Sequence, residues 1–441
     1  MTASSDFRVC VDGFNLALPR GTGIATYART LTYALKALGL QVDVLYGMNI
    51  SKEMPPELRE VIFFDSIGQE EKWRRGKFPS ARWWKATIAD FRGHTAIDIP
   101  ITGRVERRGF DERLPAANRI LNIPGLYRRA IGHFKTTGRF LDITIPNTPR
   151  IMHWTYPLPI RVNNSLNIYT IHDVVPLRFP STTLDDKNYH YKLIECLTRQ
   201  ADALCTVSEA ARTDILSFFP SAKKKLYNAY QSFQPNQTAL SRELAETEKE
   251  IRGAFALEPQ SYYIFCGSIE PKKNIGRLIE SFLAADTSRK LVLVGAMAWK
   301  NEQELRFLQR GLDLGRIISI DYLPQAMLHA LIRNARGMLF PSLTEGFGLP
   351  VLEAMAFGTP VLTSAEGSLP EVVDDAAIVV DAYDTASIMT GIERLDKDED
   401  LYERLRLAGP EQAQKFSMAR YQERLTEMYR NILNSNVRAR D

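Results

Sequence analysis

The stretch Phe340 to Val373, FPSLTEGFGLPVLEAMAFGTPVLTSAEGSLPEVV, constrains the fold more than any other part of the chain. The apolar run GMLFPS leading into it reads as a buried strand of a parallel sheet. A loop with two glycines follows. Pro350 then sits where a fixed φ and a missing amide hydrogen favour the first turn of a helix. Val351, Leu352, Ala354 and Met355 make that helix apolar, and Gly358 and Pro360 end it. Val361 to Thr363 is the next strand. A β-loop-α-β unit of this kind places its ligand at the loop beyond the carboxyl end of its first strand.

Two carboxylates lie in this unit, eight positions apart. Glu345 is on the loop, and Glu353 is expected in the first turn of the helix. The amides of Gly346, Phe347, Gly348 and Leu349 are free to point at an anion or at hydroxyls, because a helix N-terminus has unsatisfied donors and a positive end. Carboxylates accept hydrogen bonds from vicinal hydroxyls, and backbone amides hold phosphate or sugar oxygens without adding charge. A sugar joined to a nucleotide through a diphosphate suits that set. The plainer reading makes Glu345 a cap and Glu353 a solvated acid favoured by the helix dipole.

The whole stretch favours the first reading. PSLTEGFGLPVLEAMAFGTPV and the later GSLPEV resemble the donor-binding signature of retaining nucleotide-sugar glycosyltransferases of family 4. The resemblance implies an α/β fold of the GT-B kind, with two Rossmann-like domains facing an interdomain cleft. It further implies that Glu345 and the amides of Phe347, Gly348 and Leu349 hold the donor sugar, with Glu353 on the ribose.

A chain of 441 residues exceeds what one core usually supports, so two domains are expected. The resemblance divides them as an acceptor-binding domain over 1–235, a donor-binding domain over 250–415 and a C-terminal helix over 416–441 that crosses back to the first domain. Residues 231 to about 250 are polar and read as the linker. Cys10, Cys196, Cys205 and Cys266 show no metal-ligand spacing and read as reduced thiols of a cytoplasmic protein. The N-terminus lacks a basic head and a long apolar core, so no signal peptide is expected. No apolar run approaches the roughly 20 residues that span a bilayer.

In the amino-terminal half, Phe7 to Asp12 is a strand, followed by a glycine loop and a helix from about Ile24 to Leu38. Gly21 and Gly23 lie at this first crossing, where Rossmann halves meet phosphate-bearing ligands. The full dinucleotide fingerprint is missing, so by resemblance these glycines approach the donor diphosphate and the acceptor.

Residues 66–149 form an insertion of different composition, and its stretch 71 to 140 is basic and aromatic. It includes Lys72, Arg74, Arg75, Trp73, Trp83, Trp84, Arg119, Tyr127, Arg128, Arg129, Lys135 and Arg139. A solvated face with ordinary core aromatics is one reading. The other is a surface for anionic headgroups of the inner membrane leaflet or for a lipid-diphosphate-linked acceptor. No RNA-binding motif is present, and the net charge is only +4, so nucleic acid is not an expected partner.

Further on, LNIYTI is a strong strand ending at His172 and Asp173. YTIHDVVPLRFP and TVSEAAR also resemble the family, in which the strand-end histidine faces the transferring sugar. Ser208 is an expected helix cap. Tyr262 to Cys266 opens the second domain, and GSIEPKKN follows with Lys272 and Lys273. The family pattern places a phosphate-binding lysine at Lys273 and often an arginine where this chain has Ser268. The loop at Leu323 is, by resemblance, where the nucleotide base lies and bonds to backbone. The Asp-x-Asp matches are confined to residues 396–400, a charge run that reads as a solvated helix surface.

The expectation is metal-independent transfer, with no cofactor beyond the nucleotide-sugar donor. His172, Asp173, Glu345 and Lys273 would be the residues nearest the chemistry. GDP-mannose is the favoured donor and UDP-hexoses the alternative; the acceptor is a growing glycan or a lipid-linked one. A non-catalytic nucleotide-sugar sensor and a pyridoxal-dependent glycan phosphorylase are the rival readings. The intact acid pair argues against the first and chain length against the second.

Overall fold

The computed structural model describes residues 7–18, 23–67, 94–106, 110, 114–233, 242–296 and 307–438. Its framework is two parallel sheets. The first has eight strands in the order Leu226–Asn228, Ala203–Thr206, Leu166–Thr170, Ile151–Trp154, Arg8–Asp12, Gln41–Tyr46, Arg119–Asn122 and Ile97–Ile99. Only the last pairing is antiparallel. A small sheet of His94–Thr95, Leu141–Thr144 and Ile160–Val162 stands beside it.

The second sheet has six parallel strands, Ile317–Ile320, Lys290–Val294, Tyr262–Cys266, Gly337–Phe340, Val361–Ser364 and Ile378–Val380. Numbered along the chain, these run 3-2-1-4-5-6, the doubly wound order. Val, Ile, Leu and Phe dominate the strands because helices cover both faces and leave no polar side. Where a polar linker was expected, residues Leu244–Phe255 form a helix with Thr247 and Ile251 buried one turn apart. Local polarity hid that period.

The terminal helix, Met418–Arg438, packs Tyr421, Leu425, Met428, Tyr429 and Ile432 inward at helical spacing. These five join one continuous apolar cluster with Tyr27, Leu31 and Leu35 of the Gly23–Ala37 helix and with the core of the second sheet. Each such side chain contributes roughly 1.5–3 kcal/mol of burial, so the helix binds the carboxyl half firmly onto the amino half. No helix among the described residues is long and apolar enough to cross a membrane.

Much of the basic stretch lies outside the described residues, including Lys72, Arg74, Arg75, Trp73, Trp83 and Trp84. Two of its members are structural. Arg119 joins Arg8 on the fully buried carboxylate of Asp43, at 2.7 and 2.9 Å. Tyr127 is buried, and its hydroxyl donates to the Leu45 carbonyl and accepts from the Gly13 amide. Arg128, Lys135 and Arg139 are exposed on or just beyond the Leu126–Thr137 helix.

Candidate active site

A doubly wound sheet opens a crevice where its strand order reverses. In the second sheet this point lies between Tyr262–Cys266 and Gly337–Phe340. The loop after the first strand carries Lys272 and Lys273, and the loop after the second carries Glu345. The Leu343 amide donates to the Lys272 carbonyl at 2.8 Å, tying the loops together. Asn274, in the left-handed region at φ +61°, donates its side-chain amide to the carbonyls of Pro341 and Ala382. On the other flank, a Cβ at Gly295 would lie 1.8 Å from the Gly267 carbonyl oxygen, so only glycine fits there.

Within this frame the Lys273 ammonium donates to Glu345 Oε1 at 2.6 Å. Both side chains are about nine-tenths buried, at 11% and 10% exposure. Lys273 also stands 5.0 Å from the centre of the Phe340 ring. Burial pulls the neighbouring Lys272 ammonium down, but the carboxylates of Glu345, Asp173 and Glu270 outweigh it and hold Lys272 above the ordinary lysine value. Ser268, at the position where an arginine is frequent, is exposed and donates to Glu270 Oε1 at 3.0 Å. The second cation near Glu345 is therefore Lys272.

Gly348 caps the next helix at φ +98°, and Leu349 is its first residue. Glu353 consequently falls in the second turn, not the first, because the helix begins at Leu349, one residue ahead of the Pro350 signal. The carboxylate of Glu353 is partly buried and meets no hydrogen-bond donor or cation among the described residues. Burial raises its pKa to about 7. The amides of Gly346, Phe347, Gly348 and Leu349 donate to no acceptor among the described residues. The side chain of Phe347 is buried edge-on against Phe416 at 5.4 Å, which anchors the loop from below. Leu323 is half-buried on the core, beside exposed Asp321, Tyr322 and Pro324.

From the amino half, His172 and Asp173 follow the strand Leu166–Thr170. His172 Nε2 donates to the Thr155 carbonyl at 2.9 Å, and its ring meets Tyr27 edge-on at 4.9 Å. Burial lowers its pKa. The Val175 amide donates to Asp173 Oδ1 at 3.0 Å. Asp12, fully buried at the end of Arg8–Asp12, accepts from the amides of Thr155 and Phe14. Asp12 and Thr155 lie at the point where the first sheet reverses its strand order. Gly23 opens its helix, where an added Cβ would meet nothing within 4 Å among the described residues, and Gly21 lies outside them.

The two halves touch at the loop that carries Glu345 and Gly346. Ser208 Oγ donates to the Gly346 carbonyl at 2.7 Å while accepting from the Ala211 amide as the cap of its own helix. A Cβ at Gly346 would lie 2.8 Å from the His172 carbonyl oxygen. Glu371, from the GSLPEV string, accepts from the amides of Glu209 and Ala210 at 3.0 and 2.9 Å. A carboxylate of one half thus caps a helix of the other, an arrangement in which charge and dipole reinforce each other.

Glu371 and Asp12 are not among the site residues expected from the sequence. For Glu371 the signal was its place in a recognisable string; for Asp12 it was an acid closing an otherwise apolar strand. In the 396–400 run, Asp396 turns inward to Tyr263, Thr287 and Arg289, and Asp398 caps a helix through the Leu401 amide. Two of its acids are therefore structural and not merely solvated.

The family model described as Glycosyl transferases group 1 matches residues 247–412. Over 265 residues the chain is 31% identical to O-antigen chain mannosyltransferase B of Escherichia coli, covering 59% of this chain and 68% of that protein. The chain belongs to the group 1 glycosyltransferases. This group 1 glycosyltransferase is also 30% identical over 273 residues to the serotype-specific mannosyltransferase WbdA of Escherichia coli. That match covers 60% of this chain and 33% of WbdA, so the chain spans about a third of the longer relative. Its architecture is GT-B. The Anabaena protein Alr3699/HepE, solved with UDP and glucose, superposes with a TM-score of 0.64 at 12% identity, covering 96% of this chain and 100% of that one.

Proposed function

We propose that this group 1 glycosyltransferase moves mannose from GDP-mannose, with retention at the anomeric carbon and without a divalent cation. The acceptor is a growing glycan or a lipid-linked one in cell-surface polysaccharide synthesis. The observation that carries the reading is the buried Lys273–Glu345 pair beside four amides at a helix mouth that meet no acceptor among the described residues. Glu345 and the amides of Gly346 to Leu349 hold the hydroxyls of the sugar, and Glu353 accepts from the ribose. The leaving diphosphate gains negative charge in the transition state. Lys272, Lys273 and the positive helix end oppose that charge, which is the service a metal ion would otherwise provide.

His172 and Asp173 reach the same place from the amino half and orient the sugar against the acceptor. The base lies along the Asp321–Pro324 loop and bonds to backbone. Mannose as the sugar is supported by the names of both Escherichia coli relatives. An anionic acceptor, or an anionic membrane surface carrying it, is supported by the exposed cations Arg128, Lys135 and Arg139.

The test is transfer from GDP-mannose to a lipid-diphosphate glycan with EDTA present, followed by NMR of the product linkage. The expected product is the α-mannoside. A β-mannoside removes retention, activity lost in EDTA removes metal independence, and turnover of UDP-hexoses in place of GDP-mannose removes the donor.

A further inference from the structure

Behind His172 runs a chain of four buried polar side chains that the roles above do not use. The Tyr429 hydroxyl lies 2.7 Å from His153 Nδ1, and His153 Nε2 lies 2.9 Å from Thr170 Oγ1. Thr170 Oγ1 lies in turn 2.9 Å from the Tyr27 hydroxyl. All four residues are 2% exposed or less. The Tyr27 ring then meets the His172 ring edge-on, 4.9 Å between centres at 88°. The chain begins on the terminal helix, passes through two neighbouring strands of the first sheet and ends on the Gly23–Ala37 helix. Burial keeps His153 neutral by lowering its pKa to about 3.

Apolar packing holds a ring in place only loosely in rotation, whereas a hydrogen bond fixes direction. Buried polar groups cost free energy unless each is satisfied, and here one partner is aligned by the next across four separate elements. His172 is itself held on one side by the Thr155 carbonyl. That bond fixes Nε2 and leaves the tilt of the ring to whatever stands against its face.

We propose that Tyr429, His153, Thr170 and Tyr27 are positioning residues through which the terminal helix sets the orientation of the His172 ring. This rests on the placement of His172 at the donor sugar. It makes the returning helix part of the active site's construction, beyond its service as an apolar clamp between the halves.

The experiment is a double-mutant cycle on the full chain, measuring kcat, the Kd for GDP-mannose and Tm. Tyr429→Phe and Tyr27→Phe each delete one hydroxyl and keep the ring. Each is expected to lower kcat about five- to tenfold, the worth of one directional hydrogen bond, with Kd changed less than about twofold. In a His172→Ala background the same substitutions are expected to have no further effect. Equal losses in both backgrounds, or losses that track Tm alone, would reduce the chain to scaffolding and overturn the inference. A His172→Ala enzyme with wild-type turnover would instead remove the placement of His172, a result distinct from the first. Should Tyr429→Phe fail to fold, Tyr27→Phe carries the same comparison.

Discussion

Lys273 and Glu345 stand 72 positions apart in the chain yet share a 2.6 Å hydrogen bond at the carboxyl ends of two adjacent strands. Neither side chain is more than 11% exposed. Their contact is therefore both an element of stability and the centre of the crevice proposed to hold the donor, and substitution separates these roles. Removing one partner leaves the other buried and uncompensated. Lys273→Met or Glu345→Gln alone is expected to destabilise by about 3 kcal/mol and to abolish most turnover. The double variant should regain stability to within about 1 kcal/mol of wild type without regaining activity. Urea unfolding and initial rates on the four proteins provide the check.

Glu353 predicts a pH signature. Its carboxyl is raised by burial from the ordinary carboxylate range near 4.5 to about 7, so the folded chain binds more protons than the unfolded chain between those values. The contribution of Glu353 is most favourable below about pH 4.5 and falls as pH rises through 7. Glu353→Gln removes that dependence, so its Tm should gain on the wild type steadily from pH 5 to pH 8. Hydroxyl donors from a ribose would stabilise the ionised form. Binding of GDP-mannose near pH 6.5 is accordingly expected to release a proton, seen as a dependence of calorimetric heat on buffer ionisation enthalpy.

Glu371 predicts an effect on how the halves meet. Its carboxylate receives two amides at the start of the Glu209–Phe218 helix, and Ser208 beside it donates to the Gly346 carbonyl. Deleting both side chains, as Glu371→Ala with Ser208→Ala, should loosen this seam without disturbing either sheet. The expected outcome is a larger radius of gyration by solution scattering and a turnover reduced roughly tenfold, since each charge-assisted bond contributes about 1.5–3 kcal/mol.

Gly346 predicts a steric effect. A methyl at this position would come within 2.8 Å of the His172 carbonyl oxygen, across the seam. Gly346→Ala should leave Tm within a few degrees, because the residue is not in either core, while reducing turnover at least tenfold through displacement of the donor loop. Side-by-side melting curves and rate measurements distinguish this from a folding defect.

The second sheet was legible in the chain because its strands are short apolar runs bounded by glycine or proline, and the Tyr262–Cys266 and Ile317–Ile320 strands fall where those runs fall. The strand-end positions of Lys273 and Glu345 followed from the same runs, and that of His172 from the apolar strand Leu166–Thr170 of the first sheet. Four features were not readable. The turn in which Glu353 lies depends on Gly348 adopting φ +98°, a backbone choice that a glycine permits but does not announce. The Lys273–Glu345 bond and the capping of one half by Glu371 join residues from distant segments, so no local pattern carries them. Arg119, part of a visibly basic stretch, turns inward because the buried carboxylate of Asp43 waits on a neighbouring strand. Charge counts along a chain do not show which cations are already paired.

The most direct measurement is calorimetric titration of GDP-mannose into the wild-type chain and into the Lys273→Met/Glu345→Gln variant, both verified as folded by their melting curves. The account predicts saturable binding to the wild type and affinity weakened at least tenfold in the variant. Equal affinity in the two proteins, or no binding of any nucleotide diphosphate sugar to the wild type, would contradict it.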